Sequence, residues 1–150
     1  MKYNGILLNV SDLARSKQFY HKVLGLGATT EAEGYAVLEG GIVLREQKMP
    51  GPGGVRGDVC ELHFEESGIE RFAERLACLS SVSLCHPLKE EPWGQKVIRF
   101  CDPDGVVIAV EEPMKEVVGR FAAAGLAPHQ IAKQMRMPLN DVLGHLADYS

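Results

Sequence analysis

An order of strand, helix and three strands occurs twice in this 150-residue chain, and that repetition constrains the fold more than any other feature. The first copy opens with an apolar strand at Ile6–Val10 and a cap at Ser11 or Asp12. A helix follows over about Leu13–Leu24, with Leu13, Phe19, Tyr20, Val23 and Leu24 as its buried stripe and Gly25 or Gly27 as its stop. Three strands come next, near Ala28–Glu31, Tyr35–Glu39 and Ile42–Gln47, with the hairpin dipeptide Gly40-Gly41 between the last two. The second copy runs from a strand at Val59–Phe64 to a helix at about Gly68–Leu79, with Ile69, Phe72, Ala73 and Leu76 on one face. Its three strands lie near Val82–His86, Lys96–Cys101 and Val106–Glu111, and the turn Asp102-Pro103-Asp104-Gly105 joins the last two. Phe19 and Phe72 hold matching helix positions 53 residues apart. A unit of this size cannot close a core alone. The expected fold class is therefore α+β: paired βαβββ modules whose sheets form a curved mixed sheet around a groove.

The Gly- and Pro-rich segment Met49–Gly57 reads as the linker between the copies. A second loop is expected over His86–Gln95, where Pro87 and Pro92 would break strand pairing and Gly94 permits a sharp turn. It holds the only tryptophan, Trp93, which suits either a lid over a ligand or a hydrophobic plug over the core. After Pro113 the pattern becomes helical, with Val117, Val118, Phe121 and Ala122 in one stripe, a break at 125–128, and helices at His129–Arg136 and Pro138–Ala147. The last two resemble a helix-turn-helix through Ile131-Ala132-Lys133, Met137-Pro138, Val142 and Leu146. The would-be recognition helix carries Asn140, Asp141, His145 and Asp148 but no Lys or Arg, so a nucleic-acid partner is not expected. A helical cap or a dimer contact is the expected role.

A net charge of −4 leaves no basic footprint for nucleic acid or an anionic membrane surface. No apolar run approaches the roughly 18 residues of a membrane span. The N-terminal apolar stretch is too short for a secretory signal, so a cytoplasmic location is the expectation. Cysteines 60, 78, 85 and 101 show neither a zinc-knuckle nor a thioredoxin spacing and read as reduced, buried thiols.

The segments VSDLARSKQFYHKVLGLG at 10–27 and VIRFCDPDGVVIAV at 97–110 carry a resemblance. Together with the repeat, they are similar to the vicinal oxygen chelate superfamily of glyoxalases, bleomycin-resistance proteins and extradiol dioxygenases. The match covers about Tyr3–Pro113. It implies a glyoxalase-like domain at 1–113, with modules at 1–48 and 58–113, and a helical extension at 114–150. The resemblance also implies dimerisation, and sheet edges favour it. Many members hold a divalent cation through His or Glu on three or four strands, as a Lewis acid with open positions.

At the positions that the resemblance assigns to ligands, this chain has Gly5, Glu61 and Ala109. Two of these cannot ligate, and a stable site wants at least three protein ligands. A rearranged site would draw on Glu61, His63 and Glu111, which alternation can bring to one face. Without metal, a carboxylate at Glu61 needs a partner. Arg99 is the expected one, in a pocket lined by Leu7, Tyr35 and Trp93. The groove is then expected to bind a small organic ligand without metal through Glu61, His63, Trp93, Arg99, Leu7, Tyr35 and Glu111. The alternatives are a metal-dependent glyoxalase-like lyase or isomerase with a rearranged site, and a protein-interaction module working through the helical tail. Ser16 with Tyr20 reads as a helix pattern with no base beside it, and Gly51-Pro-Gly-Gly54 lacks the Lys-Ser/Thr of a phosphate loop. Asp102 and Asp104 read as turn residues, His86 as a strand end facing water, and Glu111-Glu112 as a solvated strand end.

Overall fold

A computed structural model describes residues 1–47 and 60–148 of the chain. The expected linker Met49–Gly57, the segment Gly51-Pro-Gly-Gly54 and the expected strand start at Val59 lie outside the described residues. Two compact units emerge from the packing, one comprising 1–61 with 101–107 and the other 62–100 with 108–150. The tip of the last hairpin thus groups with the first unit rather than with its own strands.

In the first unit, strands β1 (Ile6–Val10), β2 (Ala28–Ala32), β3 (Tyr35–Leu38) and β4 (Ile42–Glu46) form a sheet of order β1-β4-β3-β2. β4 runs parallel to β1 and antiparallel to β3. Between β1 and β2 lies helix α1 (Leu13–Leu24). Asp12 caps it by accepting from the Arg15 N–H at 2.8 Å, and Gly25 ends it in the left-handed conformation at φ 73°. Phe19, Tyr20 and Val23 of α1 are buried, as are Leu8, Val10, Ala36, Leu38, Ile42 and Leu44 of the strands. The strand residues alternate with exposed or half-buried ones, so one face of the sheet is core and the other is not.

The second sheet repeats the order as β5-β8-β7-β6, from β5 (Glu61–Glu65), β6 (Ser83–Glu90), β7 (Lys96–Cys101) and β8 (Val107–Glu111). Helix α2 (Ile69–Ala77) buries Ile69, Phe72 and Leu76, and Phe72 meets Phe100 of β7 with ring centroids 6.2 Å apart. β6 corrects the sequence reading. It runs through Pro87 to Glu90 instead of ending at His86. Because β6 is the outer strand of its sheet, Pro87 can forgo a ladder hydrogen bond on the open side.

The tail forms three helices, α3 (Met114–Ala123), α4 (Pro128–Met135) and α5 (Leu139–Ala147). Val117, Val118, Ile131, Met135 and Val142 make their common core. Among the described residues, no helix is long and apolar enough to cross a membrane.

Candidate functional site

Hydrogen bonds at the two ends of the β7–β8 hairpin fix its register. The Glu112 N–H donates to the Lys96 carbonyl and the Asp102 N–H to the Val106 carbonyl, both at 2.9 Å. An antiparallel ladder then sets Arg99 opposite Ala109 and Val97 opposite Glu111. These four share a face, and the register alone puts them there. Ala109 and Val97 are buried on it, while Arg99 and Glu111 keep part of their side chains open.

Two polar clusters stand on this face. His63 Nδ1 lies 2.8 Å from Glu111 Oε1, bringing together two residues expected of the site. The imidazole is 56% exposed and the carboxylate 20%. Glu61, two residues before His63 in β5, is half-buried. In the other cluster, Arg99 Nη1 donates to Glu91 Oε1 at 3.2 Å and meets His86 Nε2 at 3.0 Å. A guanidinium can only donate, so Nε2 of His86 must accept. The proton then sits on Nδ1, which donates to the Pro87 carbonyl at 2.9 Å. His86 is therefore the neutral tautomer. It faces Arg99 from within β6, not water from a strand end. Burial works against the Glu91 carboxylate, yet hydrogen bonds from Lys89 and Arg99 hold its pKa below the ordinary range. Glu91 escaped the sequence reading because nothing in a Pro-flanked loop marks the partner of an arginine eight residues on.

Leu7 and Tyr35 belong to the first unit and share the non-core face of its sheet. Leu7 pairs with Val43 and Tyr35 with Arg45 in the strand register. Leu7 is 40% exposed. Arg45, also missed, chelates the Asn9 amide oxygen through Nε at 3.1 Å and Nη2 at 2.9 Å. Alternation along β4 could have flagged it.

Trp93 lies in the tight turn 91–95, closed by Glu91 and Gln95. Its Nε1–H donates to Gln95 Oε1 at 3.0 Å, and the Gln95 amide donates to the Glu112 carbonyl at 2.9 Å. Arg120 of α3 holds the same turn by donating to the Gly94 carbonyl at 2.6 Å, and Gln134 of α4 donates to the Pro92 carbonyl at 3.2 Å. Glu112, expected at a solvated strand end, is instead buried with a 6% exposed surface. Arg120 grips it through Nη2 at 2.9 Å and Nε at 3.3 Å. This pair, 8 residues apart, compensates the carboxylate's lost hydration and turns a strand-end residue into the anchor of the tail.

In the first unit, the two Asp of the 102–105 turn also do more than cap their own backbone. Asp102 Oδ1 accepts from the Asp104 and Val106 N–H groups at 2.9 and 2.8 Å, as a turn aspartate should. Its Oδ2 accepts from the Tyr20 hydroxyl at 3.0 Å. Asp104 receives the Ser11 hydroxyl, the Ser11 N–H, Arg15 and the Ser16 hydroxyl. A carboxylate does stand beside Ser16, contrary to expectation, but Ser16 is fully buried and serves as part of this anchor.

The metal expected of the resemblance does not fit these residues. Gly5 has φ +122°, and a Cβ there would lie 2.0 Å from the Gly41 carbonyl oxygen. The backbone itself therefore excludes a ligating side chain at that position. Ala109 offers only a methyl group. Among the described residues, no three His, Cys, Asp or Glu side chains are grouped to hold a metal ion.

The profile of the glyoxalase-like domain family matches residues 3–115. No curated protein matches the chain. Among solved structures, a protein of unknown function from Agrobacterium tumefaciens C58 is 30% identical, over 75% of this chain and 94% of that one, with a TM-score of 0.65. A virulence protein from Salmonella typhimurium is 24% identical over 75% and 96%, with a TM-score of 0.57. A glyoxalase/bleomycin resistance protein/dioxygenase from Nocardioides is 21% identical over 75% and 83%, with a TM-score of 0.58, a likeness of fold. On the family match and the repeated βαβββ order together, this chain belongs to the glyoxalase-like domain family of the vicinal oxygen chelate superfamily.

Proposed function

We propose that this protein binds a small organic ligand carrying a carboxylate or an enolate-like oxygen pair, without metal, on the face of its second sheet that carries Arg99 and Glu111. The observation that carries the reading is Arg99. It is a guanidinium held between Glu91 and His86, opposite an alanine at a family ligand position. A fixed cation with planar, forked donors can recognise paired oxygens as a metal ion would, though it cannot supply the same Lewis acidity. The His63–Glu111 pair on the same face offers a further polar contact. The fold of the Nocardioides protein, titled a glyoxalase/bleomycin resistance protein/dioxygenase, is consistent with ligand binding on such a scaffold.

The test is a thermal-shift screen of small carboxylates and diketones against the wild-type protein and Arg99→Met, alongside metal analysis of protein purified without chelators. The expectation is saturable binding lost in Arg99→Met, with substoichiometric metal. Stoichiometric metal with ligand binding indifferent to Arg99 would overturn it and favour the glyoxalase-like lyase.

A further inference from the structure

Between residues 117 and 140 the chain has no Asp or Glu, although it carries 20 of them elsewhere against 16 Lys and Arg in all. Three of those cations, Arg120, Lys133 and Arg136, fall inside the acid-free stretch. Arg120 is committed to Glu112. Lys133 and Arg136 have no carboxylate partner among the described residues. Both line a concave site of about 540 Å³, with Gln130, Gln134, Leu126 and Pro92 as the rest of its wall. That volume falls within the range of small-molecule pockets, roughly 300–1,000 Å³.

The polar wall is built of donors. Gln130 Oε1 is taken by the Ala127 N–H at 2.8 Å, which leaves its NH₂ as the end free to meet a ligand. Gln134 Nε2 gives one hydrogen to the Pro92 carbonyl at 3.2 Å and keeps a second. Lys133 and Arg136 can only donate. Leu126 and Pro92 supply the apolar part. Arg136 also has φ 53°, the only positive value outside glycine among the described residues. A helix end of this kind is usually given to glycine. An arginine held there in a disfavoured conformation points to a use for its guanidinium.

We propose that this cleft, formed by α4 and the 91–95 turn, is a second binding site, for a small organic oxyanion: a carboxylate or phosphate ester on an apolar body. Lys133 and Arg136 are its counter-charges, Gln130 and Gln134 its neutral donors, and Pro92 and Leu126 its apolar contacts. The proposal is independent of the sheet face around Arg99.

Pro92 adjoins the only tryptophan, so the probe is built in. The full chain is titrated with phenyl phosphate and with benzoate at constant ionic strength, following Trp93 fluorescence and heat of binding. Variants are Lys133→Gln, Lys133→Arg, Arg136→Asn, which tolerates the left-handed conformation, Arg99→Met, and Lys22→Gln as a matched loss of charge elsewhere. Their thermal unfolding is compared first. The expected result is saturable binding of at least one probe, weakened tenfold or more by Lys133→Gln and by Arg136→Asn. Lys133→Arg and Lys22→Gln should each change it less than threefold. Absence of saturable binding by either probe would overturn the proposal, as would equal weakening by Lys22→Gln. So would loss of binding through Arg99→Met alone, which would assign the anion to the sheet face. Tight binding of a duplex oligonucleotide that depends on the same two cations and that phenyl phosphate does not displace would overturn it in favour of a nucleic-acid surface.

Discussion

The hydroxyl of Tyr20 donates to Asp102 Oδ2 at 3.0 Å across 82 residues of chain, joining helix α1 to the turn between β7 and β8. Both residues are buried, Tyr20 completely. Burial foremost, then the Asp102 charge, raises the pKa of Tyr20, so the phenol stays a donor across the accessible pH range. Removing the hydroxyl leaves a buried carboxylate short of one donor. Tyr20→Phe is therefore expected to cost about 1–3 kcal/mol of unfolding free energy, read by urea denaturation. A cost below about 0.5 kcal/mol would show that water replaces the phenol.

Asp102 gives this anchor a pH dependence. Burial, as the largest influence, raises its pKa, while hydrogen bonds from Val106, Tyr20 and Asp104 pull the other way. The folded state thus holds the proton more tightly than the unfolded chain. Its contribution is fully present below the ordinary aspartate value of about 3.9 and is lost as pH rises through the higher folded value. The stability of wild type relative to Asp102→Asn should accordingly grow as pH is lowered from neutrality towards about 4. Urea midpoints at several pH values check this; a gap that narrows on acidification means the hydrogen bonds outweigh burial.

Arg120 and Glu112 make the tail part of the second unit's stability. Arg120→Met leaves Glu112 buried with its main charged partner gone, at an expected cost of about 2–3 kcal/mol. Gly94→Ala is expected to be at least as damaging, because φ is +93° and the new methyl group would stand 2.3 Å from Phe121 Cζ. Circular dichroism melts of both variants, and of a chain ending at residue 113, should all show lower midpoints. A truncated chain that melts like the full one would favour the tail as a separable interaction module.

Position 5 decides whether a metal site can be rebuilt. Gly5→His must push against the Gly41 carbonyl, so it should destabilise the first unit by about 2 kcal/mol or more, following the magnitude usual for strained backbone sites. It should gain no nickel or zinc on reloading, even combined with Ala109→Glu. Metal uptake near one equivalent by the double variant, measured by mass spectrometry, would contradict this.

Arg99 and His86 supply another check. Their contact requires neutral Nε2, because an imidazolium donates from both nitrogens. His86→Gln, which can still accept from Arg99, should preserve ligand binding within about threefold, whereas His86→Lys should lower it tenfold or more through like-charge repulsion. Calorimetry with any ligand from the carboxylate screen distinguishes the two.

Periodicity, caps and turn residues were enough to read the two βαβββ copies, helix α1 at Leu13–Leu24 and the three tail helices, because each of those signals is written in neighbouring residues. The candidate pair His63 and Glu111 was also legible, since strand alternation assigns faces without knowing the fold. The rest depended on which distant segments meet. Pro87 sits inside β6 because that strand has an open edge, and only the strand order reveals an edge. Glu112 is buried because Arg120 returns to it from a helix, and Arg99 has Glu91 and His86 because a tight turn brings their strands together. Gly5 is confined by Gly41, a neighbour only once β1 and β4 pair. Local conformation follows from short-range sterics and side-chain pattern. The partner of a buried charge is set by register and packing, which no single segment encodes.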